Sequence, residues 1–435
     1  MKKCVLLTIC LSIILCIVWE KTYASGFAFS SQEGVLLYYN YINDGKELEV
    51  TYDYFNSYNN YKALIDKSII IPEEITYMSK TRKVTKVGNY AFLYSDIRSI
   101  ILPSTIKTIG EYAFAECNRL HDLDIPDNVE TIEKTALNGL RLRKLTIGKG
   151  VKKAGGYACS IDSIIIKDLK SFLEIDYGNT YNFFYKSSAK LYDEDYNPIN
   201  RISIPDGVTR IGKSLQHSSS ILSVTIPESV EEIDEKAFLE CSKLKTVNLP
   251  TGLVTIGERA FEDCRSLHHI DLPNKLTEIK SDAFYRCRLD SIIIPNSVEY
   301  IGACAFAGCN LSSIIIPKNV KKIVSRAFSC DSLLSVTSEI TDPEDILAGN
   351  AFNNNTLMNA TLYIPRGTLP KYRSSEGWKD FVFIEEVQTN GMEKVESNKN
   401  KMEVYDLWGR KSTRLHKGIN IEVMNDGSSR KIIGK

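Results

Sequence analysis

The sequence predicts a β-rich solenoid of short parallel strands, and three observations lead there. Ile/Leu-Pro recurs at Pro103, Pro126, Pro205, Pro227, Pro250, Pro273, Pro295 and Pro317. From Pro205 onward the spacings are 22, 23, 23, 22 and 22 residues. Ala-Phe recurs in step, ending at Phe92, Phe114, Phe238, Phe261, Phe284, Phe306, Phe328 and Phe352. Self-similarity at a fixed period of this length marks a stack of coils, each too small to bury its own apolar face.

One coil shows the physics. In L-D-S-I-I-I-P (Leu289–Pro295), Leu289, Ile292 and Ile294 alternate as in a short strand with one buried face. Pro295 has no N–H for a ladder, so the strand stops there. Val298 and Ile301 return to the core, and Ala305-Phe306 fill the far side. Stacking turns each of these places into a column through the molecule. Gly302 invites a left-handed turn, but the same place holds Asp234, Lys280 and Val324, so none is read there.

The pattern L-x-x-I-x-[I/L]-P-x-x-V-x-x-I-x-x-x-A-F-x-x-C resembles the BspA-type (treponemal-type) leucine-rich repeat of bacterial surface proteins. It covers residues 62–387. Coils near Ile147-Gly148 and Lys213-Ser214-Leu215 depart from it, and residues 161–204 read as one long irregular coil with a helical turn at Asp168–Leu173. The resemblance implies one continuous solenoid and adhesion, since some relatives bind host matrix proteins such as fibronectin and fibrinogen.

The ends need covers. Residues 25–61 are rich in tyrosine (Tyr38, Tyr39, Tyr41, Tyr52, Tyr54, Tyr58, Tyr61) around the alternating E-L-E-V-T-Y, and read as an N-terminal β cap. A tyrosine platform for sugars is the sharper alternative, and with it a glycan-binding surface module. Residues 360–386 read as the terminal cap, with Trp378 and Phe381 over the last coil. Residues 388–401 are polar and unpatterned, a linker. Residues 402–435 hold three strand-like runs with turns at Trp408-Gly409 and Asp426-Gly427. V-Y-D-L-x-G-R…K-G-I-N-I there resembles the C-terminal sorting domain of type IX secretion cargo in Bacteroidetes; a plain β appendage is the other reading.

Lys2-Lys3, the apolar run Val5–Trp19 and Thr22-Tyr23-Ala24 read as a signal peptide over residues 1–24. A lipid anchor at Cys16 would need a small residue where Leu15 stands. The expected product is secreted or held on the outer cell surface, with no membrane span and monomeric. Lys+Arg and Asp+Glu both total 54 in the full chain. That balance argues against nucleic acid as a partner.

Eight cysteines remain after residue 24. Cys117, Cys241, Cys264, Cys287 and Cys309 follow their phenylalanine by three residues, and Cys330 by two. Each coil supplies one, so zinc spacing is absent and small buried hydrophobes are expected. The five histidines fit no catalytic motif, and no nucleotide fingerprint occurs. No enzyme, metal or cofactor is read here.

Candidate binding residues lie on the outward strand positions. The third position runs Ser99, Asp122, Lys144, Ser163, Arg201, Ser223, Thr246, His269, Ser291, Ser313. The fifth runs Ile101, Asp124, Thr146, Ile165, Ser203, Thr225, Asn248, Asp271, Ile293, Ile315. The middle is polar, with His269 beside Asp271. Ile293 and Ile315, flanked by Ser291 and Ser313, form an apolar patch suited to a protein or glycan partner. Strand propensity alone, or a terminal segment folded over them, would also explain the isoleucines.

Overall fold

The computed structural model describes residues 26–30, 35–52, 66–156, 159–178, 182, 189–344, 346–348 and 350–387, and the tail segments 403–406, 411–412, 418–423 and 429–434. The expected signal peptide, Tyr54, Tyr58, Tyr61, the linker and both tail turns lie outside these residues. The chain divides into two compact units, Met1–Val387 and Gln388–Lys435.

The first unit is a solenoid whose coils have three sides. The front side carries the L-x-x-I-x-I segments as parallel strands in register. Arg201–Ser203, Ser223–Thr225 and Thr246–Asn248 pair rung by rung, Ile202 with Val224 and Val224 with Val247. Ser313–Ile316, Ser335–Ser338, Thr361–Pro365 and Phe383–Val387 form another run. The second side carries two-residue strands such as Thr108–Ile109 and Thr131–Ile132.

The third side has no strands but is bonded as regularly. The N–H of Phe92 donates to the carbonyl of Ala113, and Phe114 to Ala136. Phe261, Phe284, Phe306 and Phe328 bond to the next coil's alanine in the same way. Most coils turn here through two residues with positive φ, as at Arg259 (58°) and Asp263 (56°) around Phe261. Inside, Phe238, Phe261, Phe284, Phe306, Phe328 and Phe352 stack 5.1–5.6 Å apart. Burying each ring removes apolar surface from water and adds an aromatic contact on both faces.

Gly302 keeps a non-left-handed backbone. A Cβ there would lie 2.5 Å from the Ser281 nitrogen, so this glycine answers a close approach of two coils.

The N-terminal hairpin, Leu36–Ile42 with Glu47–Thr51, joins the second side through Lys80–Val87. Tyr39 is buried in the core, and Phe27 stacks on Tyr77 at 4.1 Å. At the other end Phe381 meets Phe352 at 5.1 Å and Trp378 lies 5.9 Å from it. Two short helices, Asn354–Asn359 and Leu369–Ser374, complete this cover. Leu369–Ser374 lies within the expected cap 360–386, while Asn354–Asn359 precedes it.

The irregular coil contains the expected helical turn, Leu169–Leu173. The Asp168 side chain caps it by accepting from the Ser171 N–H at 2.7 Å. The coil also adds a front strand, Lys190–Asp193, paired with Ser160–Ile166.

The second unit is a four-stranded antiparallel sheet in the order Lys411–Ser412, Glu403–Asp406, Gly418–Val423, Ser429–Gly434. The extra pairing, Lys411–Ser412, is too short to leave an alternating pattern.

Candidate binding surface

The front side presents the outward positions much as the alternation requires. His269, Asp271, Ser291, Ile293 and Ile315 are exposed, while Ser313 is half-buried. His269 Nε2 lies 3.0 Å from Asp271. His268 Nδ1 lies 3.2 Å from Asp290, which also accepts from the Asn310 amide at 2.7 Å. Both pairs are solvated, and surface pairs of this kind contribute at most about 1 kcal/mol. Ile293 is 62% exposed and Ile315 48%.

Three expectations need correction. Thr146 and Ile165 do not face solvent; both are buried. The irregular coil is the cause, because its strand places Tyr192 beside Ile165. Thr146 also donates its hydroxyl to Asp124. Second, the coils of His269 and Ser291 are extended but outside the strand ladder. Ile292 and Ile294 are buried and Ile293 is not, so the alternation persists outside the ladder, where the Asp290 N–H still donates to the His268 carbonyl at 3.1 Å. Third, the late isoleucines are not isolated. Leu334, Val382 and Phe383 are also exposed along this run of strands. Ile315 leads in register to Thr337, Tyr363 and Glu385. The doubled Leu333-Leu334, where a coil needs one inward leucine, was the signal available. A smaller apolar site lies at the other end, where Ile101 is 60% exposed beside half-buried Ile70.

The cysteine register is a bonding device. The Cys264 thiol donates to the carbonyl of Phe238 (3.2 Å), Cys287 to Phe261 (3.0 Å), Cys309 to Phe284 (3.2 Å) and Cys330 to Phe306 (3.0 Å). Cys117 does the same to Phe92 at 2.9 Å. Cys117, Cys241, Cys264, Cys287, Cys304, Cys309 and Cys330 form no disulfide. Burial pushes the Cys117, Cys241 and Cys330 thiols up to about 12, so these sulfurs stay protonated and act as donors. Among the described residues no group of three or more His, Cys, Asp or Glu could hold a metal ion.

A groove of about 630 Å³ lies between the N-terminal hairpin and the first coils, lined by Glu47, Lys83, Lys107, Asp127, Glu130 and Lys152 among others. Its charges largely cancel in pairs such as Lys152–Glu130 at 3.2 Å. His217 is buried, 3.0 Å from Glu240. Desolvation pulls its pKa down against the pull of that carboxylate.

The model of the BspA type leucine rich repeat region matches residues 67–165, 186–306 and 255–367 with six copies. The chain belongs to this family. Among solved structures, this BspA-type chain is similar to the pneumococcal vaccine antigen PcpA, at 19% identity over 84% of this chain and 100% of that one, with a TM-score of 0.49. A leucine-rich repeat protein from Bacteroides ovatus matches at 21% identity over 81% and 98%, with a TM-score of 0.41. A leucine rich cell surface protein from Faecalibacterium prausnitzii matches at 20% over 72% and 94%, with a TM-score of 0.30. No curated protein matches the chain in sequence. Among the described residues no helix is long and apolar enough to cross a membrane.

Proposed function

We propose that this protein is exported to the outer cell surface or the medium and binds a macromolecular partner there, serving adhesion to host or matrix proteins or to other cells. The interface is the C-terminal part of the front side, built on Ile293 and Ile315 and widened by Leu334 and Phe383. One observation carries the reading. Two isoleucines stand 62% and 48% exposed on a surface whose middle is charged and hydroxylated. Apolar side chains in that number contribute nothing to the core, and desolvating them against a partner is favourable. Small hydroxyls at Ser291 and Ser313 leave room for close approach. Family membership adds the expectation of macromolecular binding. The protein needs no cofactor for this and works as a monomer.

The test is direct binding. Purified mature chain, residues 25–435, is immobilised and exposed to matrix proteins that include fibronectin and fibrinogen. Saturable binding of at least one protein at micromolar concentration or below is expected. Retention of none of them would overturn the adhesive reading.

A further inference from the structure

On the third side, the coils ending in Phe92 and Phe114 differ from those after them. The residue two before each phenylalanine is left-handed, with φ of 60° at Tyr90 and 54° at Tyr112. In later coils the same place holds Lys236, Arg259, Asp282, Cys304 and Arg326, all but Cys304 charged. The inner ring of each coil, Phe92 or Phe114, already fills the core. Tyr90 and Tyr112 therefore build a second, outer stack, with centroids 5.4 Å apart and planes 7° from parallel. Tyr52 from the N-terminal hairpin closes one end edge-on, 6.5 Å from Tyr90 at 80°. In the next coil the place holds Thr135, too small to cover a ring, and among the described residues the half-buried Tyr112 has no aromatic neighbour on its far face. Tyr90 is 38% exposed.

Left-handed backbone disfavours bulky side chains, so aromatic rings in two successive coils are not what the turn itself selects. The polar rim is made of Asn89 and Glu111. Asn89 Oδ1 accepts from the Glu111 N–H at 3.0 Å. Among the described residues neither the Asn89 amide nitrogen nor the Glu111 carboxylate has a side-chain hydrogen-bond or ion-pair partner, so both can meet a ligand. Nearby Lys86 is neutralised by Glu49 at 2.9 Å.

We propose that Tyr52, Tyr90 and Tyr112 form a carbohydrate-binding platform for neutral polysaccharides. A pyranose offers an apolar face of C–H groups and a rim of hydroxyls. The far face of Tyr112 and the ring edges take the first, and Asn89, Glu111 and the phenol hydroxyls take the second, as suits an amphipathic aromatic. An acidic glycan would meet the Glu111 carboxylate on this rim, which disfavours it. The site does not rest on the front-side interface, which lies on another side of the coil.

The test is affinity electrophoresis of the full mature chain in gels cast with β-glucan, mannan, galactan or hyaluronan. The comparison variant is Tyr90→Asn/Tyr112→Asn, since asparagine tolerates left-handed backbone. A second variant, Tyr90→Lys/Tyr112→Arg, uses side chains found at this place in later coils. Retardation of the wild type by at least one neutral polysaccharide, lost at least tenfold in both variants and kept in Ile293→Asp/Ile315→Asp, is the expected result. Absence of retardation by every neutral polysaccharide, retardation by hyaluronan alone, or equal retardation of the tyrosine variants would overturn the proposal. Loss of protein binding instead of sugar binding in those variants would overturn it too.

Discussion

Arg326 has a φ of 60° and an exposed side chain. Nearly every coil repeats this arrangement, holding Thr135, Lys236, Arg259 or Asp282 where glycine would be at ease. A left-handed L-residue costs about 1–2 kcal/mol, and glycine gives back about half of that through its freer unfolded chain. Arg326→Gly should therefore stabilise the protein by about 0.5–1 kcal/mol, read from the midpoint of urea unfolding. A second residue-scale consequence concerns the thiols. Seven of the described cysteines are buried and Cys304 is half-exposed. Iodoacetamide on the native protein should label one site quickly, peptide mapping should place it at Cys304, and Cys304→Ser should remove it. The left-handed places two before each phenylalanine were not legible in the sequence, because no glycine marks them. The cysteine register was legible, but its purpose as a donor to the preceding carbonyl needed the coil spacing.

The coil is the element, and its phenylalanine column shows how far one element depends on the next. Phe284 lies between Phe261 at 5.4 Å and Phe306 at 5.5 Å. Phe284→Ala opens a hole that neither neighbour can leave its own coil to fill. A loss of about 3–5 kcal/mol is expected in urea unfolding. Where the sequence repeats, it described the element well: inward Leu289, Ile292 and Ile294, and the covers at Trp378 and Phe381, stand as the pattern requires. Where it does not repeat, it described less. The helical turn after Asp168 was readable from its cap. The Lys190–Asp193 strand and the cover it forms over Thr146 and Ile165 were not, because a buried outward position depends on a segment some 30 residues away with no pattern linking the two. The helices Asn354–Asn359 and Leu369–Ser374 are too short to show helical periodicity.

For the solenoid as a whole, columns of Ile, Val, Leu and Phe make the core, and most rungs are bonded to their neighbours on three sides, the front of the His269 and Ser291 coils lying outside the ladder. That leaves surface character free to vary along the stack, and it does vary. The middle of the front side carries Asp122, Asp124, Arg201 and His269, and its C-terminal part carries Ile293, Ile315 and Leu334. The two late isoleucines were readable from strand alternation alone. Leu334, Val382 and Phe383 required the three-dimensional run of strands. If the protein binds through this region, central apolar residues should dominate the affinity, about 2 kcal/mol or more when replaced by a charge.

The measurement to make is the affinity of the mature chain for a captured protein ligand, beside the Ile293→Asp/Ile315→Asp variant at matched thermal midpoint. Binding at least about 30-fold weaker in the variant is predicted, the equivalent of that 2 kcal/mol. Equal affinity of the two proteins would contradict the account and move the interface off the C-terminal front strands.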